Sequence, residues 1–140
     1  MFGEYFDKEN HYPSYNVRDL DTNDVNVHLD ILDALKKPFD LLVCHFLGID
    51  HAGHSFYVTH PELERKITET EDKIASVIEN MDNNTILMLY GDHGMTSDSN
   101  HGGGSANEIR AAFFAYSKSG FPMLQNSKFK SHLEGHESIL

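Results

Sequence analysis

Thr85-Ile86-Leu87-Met88-Leu89-Tyr90-Gly91-Asp92-His93-Gly94-Met95 is an apolar run that ends in a glycine-punctuated turn carrying an acid and an imidazole, and His101-Gly102-Gly103-Gly104 follows close behind. The same grammar occurs upstream, where Leu41-Leu42-Val43-Cys44-His45-Phe46-Leu47 leads into Gly48-Ile49-Asp50-His51-Ala52-Gly53-His54. Continuous apolar runs of this length suit strands covered on both faces, as in a parallel sheet. Two such runs, each followed at once by Asp and His, place potential metal ligands at two strand ends.

The segments between and around the runs predict helices. Val25, Leu29, Leu32 and Leu35 share one helical face, and Pro38 stops the pattern, giving a helix over 23–36. Pro61 opens a second helix, with Glu62 and Glu64 at its positive end and Leu63, Ile67, Ile74, Val77, Ile78 and Met81 as its core stripe. Glu62–Lys66 and Glu69–Lys73 have the spacing of ion pairs on its wet face. Asp82-Asn83-Asn84 is a turn, and Ala111 to Tyr116 a third strand after the one over Thr85–Tyr90. The order helix, strand, helix, strand, strand is that of an α/β sandwich whose helix-linked strands run parallel. The carboxyl ends of such strands share the edge at which open α/β sheets bind ligands.

Convergence of Asp50, His54, Asp92, His93 and His101 at that edge follows from this topology. Their oxygen and nitrogen donors suit zinc, or manganese where oxygen predominates. Five ligands exceed one tetrahedral shell and favour two divalent ions about 3.5–4 Å apart, an arrangement that clamps phosphoryl groups. Either motif alone is equally a capped turn; the metal reading rests on both, each after an apolar run. His45 reads as a core or outer-sphere histidine, and His11, His28, His60, His132 and His136 as surface residues. Cys44, the single cysteine, is expected to fill the core and leaves the redox compartment undetermined.

Charge and length narrow the function. The 140 residues carry 11 basic and 22 acidic side chains, a formal charge of −11, which excludes binding to nucleic acid phosphates as the main activity. No apolar stretch reaches membrane-spanning length and Met1-Phe2-Gly3-Glu4-Tyr5 does not begin a signal peptide, so the chain as written is expected to be soluble. Asn83-Asn84-Thr85 fits the glycosylation sequon, a weak secretory hint. The expected organisation is a single partial domain over 1–140, with a loop-rich arm over 1–23, an α/β core over 24–118 and a tail over 119–140.

The motifs Gly48-Ile49-Asp50-His51-Ala52-Gly53-His54, Gly91-Asp92-His93-Gly94-Met95-Thr96 and His101-Gly102-Gly103-Gly104-Ser105 resemble the luminal domain of the GPI ethanolamine phosphate transferases, in the alkaline phosphatase superfamily. Tyr12-Pro13-Ser14-Tyr15-Asn16-Val17-Arg18-Asp19-Leu20-Asp21-Thr22 and Cys44-His45-Phe46-Leu47-Gly48 look most like the subfamily that modifies the third mannose of the anchor. The resemblance covers roughly residues 12–118. It implies a partial alkaline-phosphatase-like α/β/α sandwich with a mostly parallel sheet, and two metal ions, zinc first. Asp50, His54 and His101 would hold one ion and Asp92 and His93 the other. It further implies phosphatidylethanolamine and the GPI glycolipid precursor as substrates, and residence at the luminal side of the endoplasmic reticulum membrane.

In that family a Thr nucleophile forms a phosphoenzyme and, with a further Asp, completes the second metal shell. Nothing before Asp50 here resembles the segment that carries them, and the family's membrane spans have no counterpart either. The expectation is therefore the second half of a luminal catalytic domain, inactive without the upstream half. The alternatives are a metal-binding or interaction domain without catalysis, and a phosphodiesterase or nucleotide pyrophosphatase of the same superfamily.

Overall fold

A computed structural model describes residues 6–121. Residues 1–5 and 122–140, which include His132, His136 and most of the expected tail, lie outside the described residues. Six elements follow in order: α1 (Thr22–Ala34), α2 (Gly48–Phe56), α3 (Pro61–Asn80), β1 (Leu87–Tyr90), α4 (Ala106–Ile109) and β2 (Phe113–Tyr116). Helices and strands are thus mixed, as the sequence implies. No helix among them is long and apolar enough to cross a membrane.

The two long helices form where periodicity and punctuation agree. Pro61 sits in the first turn of α3, where a missing N–H costs nothing, and Nδ1 of His60 accepts from the Glu62 amide at 3.1 Å. His60, expected as an ordinary surface residue, is the cap of this helix. Helix α3 packs against both α1 and α2. The core gathers where α1 and the end of α3 meet, around Val27, Ile31, Val77 and Met81, with Tyr12, Phe46, Leu87 and Tyr116 leaning on it. The arm is tied down there too: Tyr12 Oη donates to Asp30, which also accepts from Asn10 Nδ2 at 2.6 Å.

Three expectations are corrected. The run Leu41–Leu47 is not a strand and has no ladder partner; Leu41 and Val43 are 69% and 62% exposed, and Cys44 is exposed rather than in the core. A continuous apolar run specifies a strand only when another strand lies beside it to take its backbone hydrogen bonds. Among the described residues, β1 and β2 pair only with each other. That ladder is antiparallel, with Leu87 opposite Tyr116 and Tyr90 opposite Phe113, so the expected parallel pairing is not among the described residues. The strand expected to be buried at Thr85–Tyr90 keeps most of β1 exposed.

The charge pattern on α3 also differs from its expected form. Glu69 does pair with Lys73, but Glu62 pairs with Arg65 at 2.5 Å instead of with Lys66. Lys66 turns inward and is fully buried between α1, α2 and α3. Its long stem reaches carboxylates of α1 that a helix-surface pairing rule does not consider.

His28, on α1, is half-buried rather than a free surface group, and its Nε2 is buried without a hydrogen-bond partner. Burial, and then the neighbouring Lys73, hold its imidazole below the ordinary histidine range. An unfolded chain therefore binds a proton that the folded chain resists. Stability from this group is present above the unfolded value, about 6.5, and declines as pH falls below it. His28→Gln should show a smaller drop in Tm between pH 7.5 and pH 5.5 than the unsubstituted protein, measured by circular dichroism; an identical drop would remove His28 from the account.

Candidate metal centre

Asp50 and His54 do not sit on a loop after a strand, as the sequence reading expects, but on helix α2. Their i, i+4 spacing puts both side chains on one face, and the Oδ1–Nε2 distance is 3.5 Å. The opposite face is anchored: His51, Ala52 and Gly53 are buried, His51 Nδ1 meets the Asp19 carbonyl at 3.0 Å, and Ser55 Oγ donates to the Val17 carbonyl at 2.8 Å.

The second segment leaves β1 as a compact loop. Gly94 donates to the Glu108 carbonyl at 2.7 Å, and the Thr96 amide to the Asn100 carbonyl at 2.9 Å. The Glu108 carboxylate accepts from the amides of Gly103 and Ser105 at 2.8 and 3.0 Å, closing the capping box of α4. Gly102 takes φ 96°, a value that requires glycine, directly after His101. Met95 lies so close to Gly53 that a side chain at position 53 would meet its Sδ at 2.5 Å. The end of the Met95 side chain thus packs directly on the Gly53 backbone where the loop meets α2.

Docking brings the two motifs into one cluster. His101 Nε2 lies 3.0 Å from His54 Nε2 and 3.3 Å from Asp50 Oδ1. The His93 ring stacks on that of His101, with centroids 3.7 Å apart and planes at 17°. His93 Nδ1 is 2.9 Å from the Gly94 carbonyl, which leaves Nε2 available as a donor atom. Asp50, His93 and His101 each place one potential ligand atom within 4.8 Å of the others. Asp92 stands at the rim, exposed, with Oδ2 3.6 Å from His93 Nε2 and 3.7 Å from His45 Nε2. Asp50, His54, His93 and His101 thus gather in one cluster, while Asp92 and His45 stand beside His93 at its edge. The sequence reading placed His45 in the core or the outer sphere, whereas the structure puts it on the surface beside Asp92.

Two observations test whether this cluster suits a divalent cation. Oδ1 of Asp50 is buried and makes no well-directed hydrogen bond, with the Nε2 atoms of His101 and His54 3.3 and 3.5 Å away, an arrangement that a cation between the three atoms would satisfy. The Nε2 atoms of His54 and His101 face each other at 3.0 Å, which suits an N–H···N hydrogen bond between neutral tautomers or, with both nitrogens deprotonated, a shared cation. A carboxylate oxygen and two or three imidazole nitrogens are also the donor set that zinc takes. The residues fit.

Comparison with known proteins assigns the chain. The family described as Type I phosphodiesterase / nucleotide pyrophosphatase matches residues 4–115, which spans the whole cluster. The chain belongs to this family. Within it, GPI ethanolamine phosphate transferase 3, catalytic subunit, of Homo sapiens is 41% identical over 118 residues, covering 84% of this chain and 11% of the human protein. GPI ethanolamine phosphate transferase 3 of Schizosaccharomyces pombe is 36% identical over 121 residues, 84% of this chain and 13% of its own length. That of Saccharomyces cerevisiae is 39% identical over 107 residues, 75% and 10% respectively. The chain thus spans 10–13% of the length of these relatives. No solved structure matches it. The phosphodiesterase family is metal-dependent, in keeping with the donor set gathered between α2 and the loop after β1.

Proposed function

We propose that this chain carries the metal-binding part of an ethanolamine phosphate transferase that moves ethanolamine phosphate from phosphatidylethanolamine to a mannose of the GPI anchor precursor, the third mannose by resemblance. The observation that carries the proposal is the buried Asp50 Oδ1, which makes no hydrogen bond and faces the Nε2 atoms of His54 and His101, in a chain similar to transferases of that name. Asp50, His54 and His101 would hold one ion, with zinc preferred over manganese, and Asp92 and His93 a second. An ion held there would polarise a phosphodiester oxygen and offset the charge that builds on it.

The chain's own groups set the orientation. The Gly94 carbonyl fixes the His93 ring, the i, i+4 geometry of α2 fixes Asp50 against His54, and the positive φ of Gly102 turns the backbone directly after His101. The five site residues are carboxylates and imidazoles, none of them a hydroxyl nucleophile. The attacking group is assigned to another part of a longer enzyme, so the 140-residue chain by itself is expected to show no transfer. The setting in this reading is the luminal side of the endoplasmic reticulum membrane.

The test is a chimera in which residues 12–118 replace the matching stretch of the Schizosaccharomyces pombe relative, expressed in cells lacking that enzyme. Labelled anchor precursors should gain ethanolamine phosphate, and the His54→Ala chimera should leave them unmodified. A stably expressed chimera that leaves precursors unmodified, or a His54→Ala form that works as well as its parent, would overturn the reading.

A further inference from the structure

The first turn of α2 has no side-chain cap of its own; its N-cap residue is Leu47. Its free amides are instead met by Asp24, 23 and 24 residues earlier on α1: Oδ1 accepts from Leu47 N at 2.8 Å and from Gly48 N at 3.1 Å. Asp24 is fully buried, and so is Lys66, whose Nζ lies 3.5 Å from Asp24 Oδ2, 2.9 Å from Asp21 Oδ1 and 3.4 Å from Glu69 Oε1. Burial opposes the ammonium charge, but the Asp21, Asp24 and Glu69 carboxylates outweigh it and hold the group above the ordinary lysine range. Lys66 crosses directly over Gly48, where any side chain would overlap both its Cε and the Asp24 carboxylate. One carboxylate thus sits at the positive end of α2, where helix amides and dipole favour a negative charge, and a buried lysine holds it there.

Asp50 and His54 lie on the next turns of that helix, at 3.3 and 3.0 Å from His101 Nε2. We propose that Asp24, held by Lys66, is a positioning residue for the metal centre: it clamps the start of α2 and thereby sets Asp50 and His54 opposite His101. Neither residue touches the cluster. The inference rests on the metal reading above for its consequence in binding, but its geometric half stands separately.

The experiment uses the 140-residue chain, zinc alone as the probe, and two readouts. Asp24→Asn keeps an acceptor but loses the charge, and should weaken zinc binding by about tenfold, the lower end of the range for losing a partner bonded directly to a ligand, because Asp24 acts only through the helix. In the metal-free protein the nuclear Overhauser contact between the His54 and His101 rings should fade in the same variant. Ile31→Ala, which opens the core away from α2, lowers Tm but should leave both readouts as in the parent, which separates positioning from general instability. Should Asp24→Asn not fold, Lys66→Arg keeps the charge on a broader head and is read in the same direction. Parental zinc affinity together with an intact ring contact in the folded variant would overturn the proposal. Absence of zinc binding in the parent chain would instead sink the metal reading, and the ring contact alone would then decide whether Asp24 positions α2.

Discussion

His101→Ala is expected to abolish measurable zinc binding by the chain, with affinity falling at least about a hundredfold, a larger effect than loss of any outer-sphere group. His101 is the hub of the cluster: its Nε2 is the nearest neighbour of both His54 and Asp50, and its ring supports that of His93. Removing it deletes one ligand and leaves a second unsupported, while Asp50 and His54 keep only each other. Calorimetric titration with zinc measures the change, with a thermal melt of the metal-free variant as the control for folding. Binding should also release protons and weaken on acidification, because only neutral imidazole ligates. Equal affinity in parent and variant would show that zinc binds elsewhere.

Gly94→Ala is expected to destabilise the protein by about 1–3 kcal/mol, the range for forcing extra atoms into a packed site, and to lower zinc affinity as well. A Cβ at this position would overlap the Asn107 backbone carbonyl and come within 2.6 Å of the Arg110 oxygen. These are backbone atoms, so no side chain can swing aside. The loop would have to lift from α4, breaking the 2.7 Å bond from the Gly94 amide to the Glu108 carbonyl and carrying His93 with it. Gly104→Ala is the matched control, since nothing lies within 4 Å of its Cβ position. Denaturant unfolding of the two variants should separate them clearly; similar midpoints would mean that the loop tolerates displacement.

What could be read from the chain was whatever is encoded locally. Helices α1 and α3 announce themselves by apolar spacing and by Pro38 and Pro61, and β1 and β2 by their aromatic and aliphatic runs, whereas the antiparallel pairing of the two is not encoded locally. The ligand residues were legible because an acid and a histidine follow each apolar run. Helix α2 was not, since Gly48, Gly53 and four polar residues give it little intrinsic helix preference; it forms because Asp24 meets its first amides and its inner face is buried. Leu41–Leu47 misled for the opposite reason. Its composition suits a strand, but ladder formation depends on a partner that composition does not reveal. The i, i+4 spacing of Glu62 and Lys66 points Lys66 to the wet face, because pairing along one helix does not foresee the carboxylates of Asp21 and Asp24 arriving from the start of α1.

The two sides of the metal cluster differ in stiffness. Asp50 and His54 belong to a helix with a buried face and a clamped start, whereas Asp92 and His93 hang from a two-stranded ribbon that is mostly exposed, and such ribbons are weakly stable on their own. One jaw is therefore fixed and the other compliant. If an ion fills the gap, the freedom it removes is expected mainly on the Gly91–Gly104 side, so the bracing of that loop and the clamp on α2 both bear on how tightly the ion is held.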